Sequence, residues 1–121
     1  MNGVHFTRAQ RRRWSARTHA EKNQQRILEG MMQEMPPTQA IVFMGYFHQF
    51  PYLSKKGNDD YFRPAWAEIL RQVAVKPRAF WKMTGALVKL GYLESRKRSL
   101  LRPREYRIVF SKLNKYVEST T

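Results

Sequence analysis

Three basic residues, Arg78, Lys82 and Lys89, are spaced four and then seven positions apart in a segment with helical periodicity. At 3.6 residues per turn they fall on one face of a helix, and Gly85 lies between them on that face. Guanidinium and ammonium groups bind phosphate and carboxylate groups through charge-assisted hydrogen bonds. The spacing therefore predicts an anion-binding surface on this helix.

Residue types that support catalysis or metal binding do not form a recognisable site. His5, His19 and His48 are too far apart in the sequence to pair at the spacing of helical metal ligands, and cysteine is absent. Asp59 and Asp60 are interpreted as a turn or a helix start, because magnesium-dependent nucleases gather several carboxylates. Phosphate-binding glycine loops and hydrolase motifs are also absent from the sequence. We therefore expect no enzymatic activity, no metal and no cofactor.

The charge of the chain points to a polyanionic partner. The 121 residues carry a formal net charge of +14. Between residues 76 and 115, twelve Lys and Arg outnumber two carboxylates by ten. Such an excess favours nucleic acid first and an anionic membrane surface second. No apolar run reaches the roughly 20 residues that span a bilayer, so we expect a soluble cytoplasmic protein, nucleoid-associated if bacterial, with no membrane partner.

The basic helix has its own start and stop signals. Pro77 suits the first turn, where a missing N–H costs nothing, and Gly91 suits the position after the last turn, where a left-handed residue is needed. The opposite side of the helix is apolar and is expected to be buried; it comprises Phe80, Met83, Leu87 and Leu90. These features predict a helix over 77–90.

Further elements flank this helix on both sides. Residues 64–73 predict a short helix with one apolar side, followed by a turn at 74–76. Residues 92–96 and 106–110 have strand character and predict a β-hairpin with a basic connection. Helix, tight turn, helix and hairpin is the order of a winged helix-turn-helix.

The second half of the chain resembles a known superfamily. Val75, Phe80, Leu87 and the ending Gly91-Tyr92-Leu93 look like the recognition helix and first wing strand of winged-helix transcription regulators and of plasmid or phage replication initiators.

The resemblance implies roles for the basic residues. Helix 77–90 would enter the major groove of DNA, with Arg78 and Lys82 nearest the base edges and Lys76 and Lys89 nearer the phosphates. The wing would contact the flanking backbone or the minor groove through its basic residues, which are Arg96, Lys97, Arg98 and Arg102.

The first half of the chain predicts a basic arm and two more helices. Residues 1–17 contain no carboxylate, and we interpret them as an arm that contacts phosphates or a minor groove, chiefly through Arg11, Arg12 and Arg13. Residues 18–35 predict a helix capped by Thr18, whose methionine-rich stripe suits core packing or a homodimer interface. Residues 39–50 are apolar nearly all round and predict a buried helix capped by Thr38, with a central strand as the competing interpretation.

We therefore expect a mainly α fold with a small antiparallel β-hairpin. It would be a winged helix-turn-helix domain over 38–115, preceded by the arm 1–17 and the extra N-terminal helix 18–35, and followed by a tail, 116–121. The expected function is non-enzymatic binding of double-stranded DNA, as a transcriptional regulator or a replication or partition factor of a mobile element. RNA binding or ribosome association is the alternative. A protein-interaction module that inhibits a nucleic-acid-binding partner is a further one.

Overall fold

The computed structural model describes residues 20–50, 61–97 and 99–118. The predicted arm at 1–17, residues 51–60 and Arg98 lie outside these ranges. The regular elements, in chain order, are α1 (Gln24–Glu34), α2 (Pro37–Gln49), α3 (Trp66–Val73), α4 (Pro77–Lys89), β1 (Leu93–Arg96), β2 (Glu105–Ile108), a 3₁₀ helix (Phe110–Leu113) and α5 (Asn114–Glu118). The described chain is thus mainly helical with one two-stranded antiparallel sheet, as expected.

Helix α2 passes through the centre of the core because its residues are apolar on almost every side. Phe43, Tyr46 and Phe47 are at most 1% exposed, whereas Ile41 is 40% exposed. The prediction of a buried helix is confirmed, and the competing strand is wrong. The predicted cap Thr38 is also wrong, because the helix begins one residue earlier, at a proline that needs no hydrogen-bond partner for its nitrogen.

Aromatic rings connect α2 to the elements around it. The ring of Phe43 meets Tyr92 edge-on with centroids 5.9 Å apart. Phe50 likewise meets Phe62 at 5.6 Å and Phe110 at 5.4 Å. Edge-to-face pairs are favourable beyond the apolar area that they bury. The core is therefore continuous from α2 to the sheet and to the segment that follows it.

Helix α1 is shorter than the predicted helix 18–35. Its regular part begins at Gln24, after a helical turn at 20–22, and ends at Glu34. The end agrees with the prediction, because two prolines follow and the residue before a proline avoids the helical conformation. The predicted cap Thr18 lies outside the described residues.

The apolar stripe of α1 packs into the core of its own chain. Ile27 and Met31 have no exposed surface, while Met32 is 38% exposed. This helix is therefore part of the folded domain rather than an extra element outside it. A homodimer through α1, which stays a prediction, would have to use Met32 and its polar neighbours.

The predicted tail begins inside the core, and its assignment is wrong at Tyr116. This residue of α5 is 7% exposed and packs against α1. A Cβ atom added to Gly30 would come within 2.3 Å of the Tyr116 ring, so only glycine allows this approach. The Tyr116 and Tyr92 hydroxyls lie 2.6 Å apart in a buried hydrogen bond. Helix α5 thus covers the core beside α1.

Helices α3 and α4 are joined by a tight turn. Ala74 closes α3 with a left-handed backbone at φ 54°, and Lys76 is extended before Pro77 begins α4. Left-handed backbone is uncommon for a residue with a side chain. It turns the chain between two helices that both pack on α2.

The C-terminal end of α4 has the hydrogen bonds of a Schellman motif. Gly91 has φ +90°, its N–H donates to Val88 C=O at 3.1 Å, and Tyr92 N–H donates to Leu87 C=O at 3.0 Å. The predicted roles of Pro77 and Gly91 are confirmed, and the helix ends at Lys89. Strand β1 therefore begins within a few residues of the end of α4.

The hairpin has the predicted antiparallel pairing, with Leu93 opposite Ile108. Phe110 was expected in the second strand but belongs to the 3₁₀ helix that follows it. A single residue, Phe62, pairs with the free edge of β2. Phe62 and Tyr106 exchange two backbone hydrogen bonds, each 2.9 Å long. The segment before α3 is thereby attached to the sheet.

Candidate functional site

Twelve of the fifteen described cationic side chains fall into two groups. One group forms ion pairs with glutamates: Arg63, Arg71, Arg96, Arg107 and Lys115. The other group is exposed and makes no ion pair, side-chain hydrogen bond or ring contact within the described ranges: Lys22, Lys76, Arg78, Lys82, Lys89, Lys97 and Arg102. Six of these seven belong to α4, the residue that caps it, and the hairpin connection, which we define as residues 97–104. Unbalanced positive charge is thus concentrated on two neighbouring parts of the fold.

Arg96, a predicted wing contact, forms an ion pair within the hairpin. Its Nε donates to the Glu105 carboxylate at 2.7 Å, and its guanidinium lies 4.0 Å from the centroid of the Tyr61 ring. Arg107 lies 4.6 Å from that centroid and pairs with Glu94 across the strands. The predicted contact of Arg96 with DNA stays a prediction. The cross-strand ion pairs and cation–π contacts of Arg96 and Arg107 stabilise the paired strands β1 and β2, which we call the hairpin base.

The inner face of α4 is largely as the apolar spacing predicts. Phe80 and Leu87 have no exposed surface, and Met83 is half-buried. Leu90 is 48% exposed because it follows the last helical residue, so its predicted burial is wrong. Thr84, which is 2% exposed, also lies on the buried face of α4, although its burial was not predicted.

A buried polar cluster holds α4 against α2 and α3. The Tyr46 hydroxyl lies 2.9 Å from the Thr84 hydroxyl and accepts a hydrogen bond from Trp66 Nε1 at 3.3 Å. Burial raises the pKa of the Tyr46 hydroxyl well above its ordinary value. Buried polar groups that are mutually satisfied select one arrangement of the elements that carry them. This cluster fixes which side of α4 faces outward.

The outer face of α4 carries Arg78, Lys82 and Lys89, all exposed. The helix contains no acidic residue, and the nearest preceding cation is Lys76 at its N-cap. Like charges four residues apart destabilise a helix by about 0.2–0.5 kcal/mol, and cations in the first turn oppose the helix dipole. Lys76 provides no side-chain hydrogen bond to the free N–H groups of the first turn. Each of these features is unfavourable for the isolated helix and favourable for binding an anion.

Gly85 lies in the middle of this outer face. The two other glycines within helices have packing reasons, since an added Cβ would clash with Tyr116 at Gly30 and with Ile69, at 2.6 Å, at Gly45. At Gly85 an added Cβ meets nothing within 4 Å in the described part of the chain. Glycine costs an exposed helix interior about 1 kcal/mol relative to alanine. Packing within the described part of the chain therefore does not require a glycine at position 85.

The hairpin connection exposes two more of the predicted residues, Lys97 and Arg102. Arg104 donates a hydrogen bond to the Ser95 hydroxyl at 3.2 Å and continues the basic character toward β2. Leu100 and Leu101 stand between these cations and are 90% and 96% exposed. These leucines were not predicted as site residues, although the sequence places two apolar residues within a basic turn.

The remaining predicted contacts, Arg11, Arg12, Arg13 and Arg98, lie outside the described residues. Within the described ranges no cluster of three or more His, Asp or Glu side chains is arranged to hold a metal ion. None of the helices in these ranges is both long and apolar enough to cross a membrane. Comparisons of the chain with protein-family models, with curated proteins and with solved structures find no match.

Proposed function

We propose that this protein is a non-enzymatic binder of double-stranded DNA with a winged helix-turn-helix fold. Helix α4 enters the major groove, and the hairpin connection lies on the flanking backbone or minor groove. The observation that carries the proposal is the division of the cations. Among the described residues, glutamates pair with cations elsewhere, whereas α4 and the hairpin connection keep exposed cations that make no ion pair. A polyanion bound to α4 and the hairpin connection balances the positive charge of these cations.

The order of elements supports the winged fold. Helix α2 packs behind the α3–turn–α4 pair, and the hairpin follows α4 directly. Phe62 joins the sheet from the segment before α3, so the sheet is anchored beside the helix pair. In a helix-turn-helix, the second helix of the pair presents its N-terminal part to base edges. Arg78 and Lys82 occupy that part of α4.

The exposed cations set the expected salt dependence. Six exposed cations on or beside α4 and in the hairpin connection make no ion pair in the described part of the chain, and they would release counterions from B-DNA on binding. The slope of log K against log salt should then be about −5. The measurement is fluorescence anisotropy with a 25-base-pair duplex at several salt concentrations. A slope shallower than about −2 would refute groove binding.

Two matched variants test whether the cations of the proposed surface cause the slope of log K against log salt. Lys82→Ala should reduce the slope by about one, because one phosphate or base contact is lost. Lys22 is also exposed and unpaired in the described chain but lies before α1. Lys22→Ala should therefore leave the slope unchanged. Equal effects of both variants would indicate nonspecific attraction to the whole protein.

Binding of single-stranded RNA is the second candidate, and Trp81 favours it. This residue of α4 is 44% exposed beside Lys82, and its ring packs against Trp66 with centroids 5.4 Å apart. Exposed aromatic rings next to cations stack on unpaired bases. If RNA is the ligand, single-stranded RNA should displace the duplex at equal concentration, and Trp81→Ala should remove that advantage. Duplex binding that resists RNA competition supports the DNA proposal.

Within the DNA proposal, the biological role is that of a transcriptional regulator, or of a replication or partition factor of a mobile element. These roles share the requirement that the protein distinguish one site from bulk DNA. Selection of bound fragments from random duplexes, with RNA as competitor, tests this requirement directly. Enrichment of one sequence supports the proposal, whereas recovery of unrelated fragments contradicts a site-specific role.

A further inference from the structure

The tip of the hairpin connection is a turn with two leucines at its apex. Arg102 N–H donates to Ser99 C=O at 3.4 Å, which places Leu100 and Leu101 at the two central positions. Glycine, proline, asparagine, aspartate and serine normally occupy such positions, because their side chains or backbones favour the turn. Local turn chemistry therefore does not explain why two leucines stand here. We call Leu100 and Leu101 the leucine pair.

The leucine pair is the most exposed apolar feature of the described surface. The next most exposed large apolar side chain, Leu90, is 48% exposed, against 90% and 96% for the pair. Exposed apolar groups of this kind, rimmed by polar residues, mark binding sites. Here the rim is cationic, since Lys97 precedes the pair and Arg102 follows it. The complementary partner has an anionic rim around an apolar interior.

A duplex has this arrangement, because phosphates border the groove and stacked bases form the apolar interior. Proteins that bind the minor groove insert apolar side chains, leucine among them, between base steps and kink the duplex by about 20–90°. Insertion requires a support that resists the stacking energy of the bases. The hairpin base supplies it through the Arg96–Glu105 pair, with Nε and carboxylate 2.7 Å apart, and through two guanidiniums on the Tyr61 ring.

We propose that the leucine pair is a wedge that enters the minor groove, separates a base step and bends the DNA. The proposal rests on the proposed function and adds to it a mode of recognition. Unstacking is least costly at flexible pyrimidine–purine steps and at mismatches. The wedge therefore makes the protein select deformable DNA at a position where it reads no base edge.

The experiment compares two double variants of the full chain. Leu100→Ser with Leu101→Ser removes the apolar groups, and Leu100→Met with Leu101→Met keeps them. Both leave the fold intact, because the two side chains contribute almost nothing to the core. The probe is the duplex selected from random fragments, labelled at its ends for energy transfer. Affinity and bend angle are measured at one salt concentration, with a second set of duplexes that carry a single mismatch at successive positions.

The expected result has three parts. The parent protein and the methionine variant shorten the end-to-end distance and bind one mismatched duplex more tightly than the paired one. The serine variant binds the paired duplex about tenfold or more weakly, because the burial of two leucines is lost. It also shows neither the bend nor the preference for the mismatch.

Several outcomes would overturn the proposal, and they are separable. Salt-dependent duplex binding that is equal in parent and serine variant would refute the wedge and leave the proposed function standing. Absence of salt-dependent duplex binding by the parent would refute both. Vesicles of phosphatidylserine and phosphatidylcholine test the other surface that suits apolar groups within a cationic rim. Vesicle binding that depends on the leucine pair, together with duplex binding that does not, would assign the pair to membranes.

Discussion

Replacing Gly85 with alanine should raise stability and lower affinity for DNA at the same time. In the free protein the new methyl group meets nothing within 4 Å in the described chain. The full difference in helix propensity should therefore appear, about 0.8–1.0 kcal/mol in favour of alanine. For a domain of this size that corresponds to a rise in Tm of about 3–6 °C.

The same methyl group lies on the face of α4 that meets the duplex in our proposal. Gly85 lies between Lys82 and Lys89 on this face, with Arg78 one turn before Lys82. A methyl group forced into a packed contact costs about 1–3 kcal/mol. Affinity should then fall about five- to hundredfold.

The assay combines thermal melting with anisotropy on the selected duplex, at a temperature where all proteins are folded. Ala86→Gly is the matched control, because this neighbouring residue points away from the basic face and is half-buried. It should lower stability by at least the amount that Gly85→Ala adds, and leave affinity unchanged. A more stable Gly85→Ala protein with unchanged affinity would show that DNA does not approach α4 at this point. A less stable one would refute the exposed placement of Gly85.

Three further variants test the remaining assignments. Leu87→Ala, at a fully buried position of α4, should lower the free energy of unfolding by about 2–5 kcal/mol in a denaturant titration, and an unchanged midpoint would mean that the phase of the helix is wrong. Arg78→Ala should keep the Tm and lower affinity for the selected duplex about tenfold while hardly affecting an unrelated duplex, whereas equal losses would contradict base reading. Lys97→Ala with Arg102→Ala should weaken binding to all duplexes alike and reduce the salt slope by about two, and a changed preferred sequence would contradict a backbone role.

The helices and the hairpin could be predicted because their boundaries are encoded locally. Pro77 and Gly91 fix the two ends of α4 through backbone preferences that do not depend on the rest of the fold. The apolar runs in α2 and α4 likewise indicated burial correctly at Phe43, Phe80 and Leu87. Local signals of this type lost accuracy at element ends, where Thr38 and Leu90 were misassigned, and at α5, where Tyr116 was assigned to a tail.

The pairing of charges could not be predicted, because it depends on contacts between distant segments. Arg96 and Lys97 are adjacent and equally basic in the sequence, yet only Arg96 lies opposite Glu105 in the sheet register. The register therefore decides which cation stays free. Tyr116 illustrates the same limit for packing, since its burial depends on the glycine at position 30 of α1. The exposure of the basic face of α4 could be predicted because one helix determines it, whereas the ion pair of Arg96 depends on the register of two strands.

The docking of α5 on α1 also has a consequence for the order of folding. The hydrogen bond between Lys115 and Glu34 joins residues 81 positions apart, and Tyr116 packs on Gly30 across a similar separation. Closing a loop of this length costs chain entropy before the contact contributes any stabilising energy. The contacts among α2, α3 and α4 close much shorter loops, because these helices are near neighbours in the chain. The α2–α3–α4 unit should therefore assemble first, and the end helices should join it late. In the native state they should also open before it, exchanging their amide hydrogens through local openings that leave the basic surface intact.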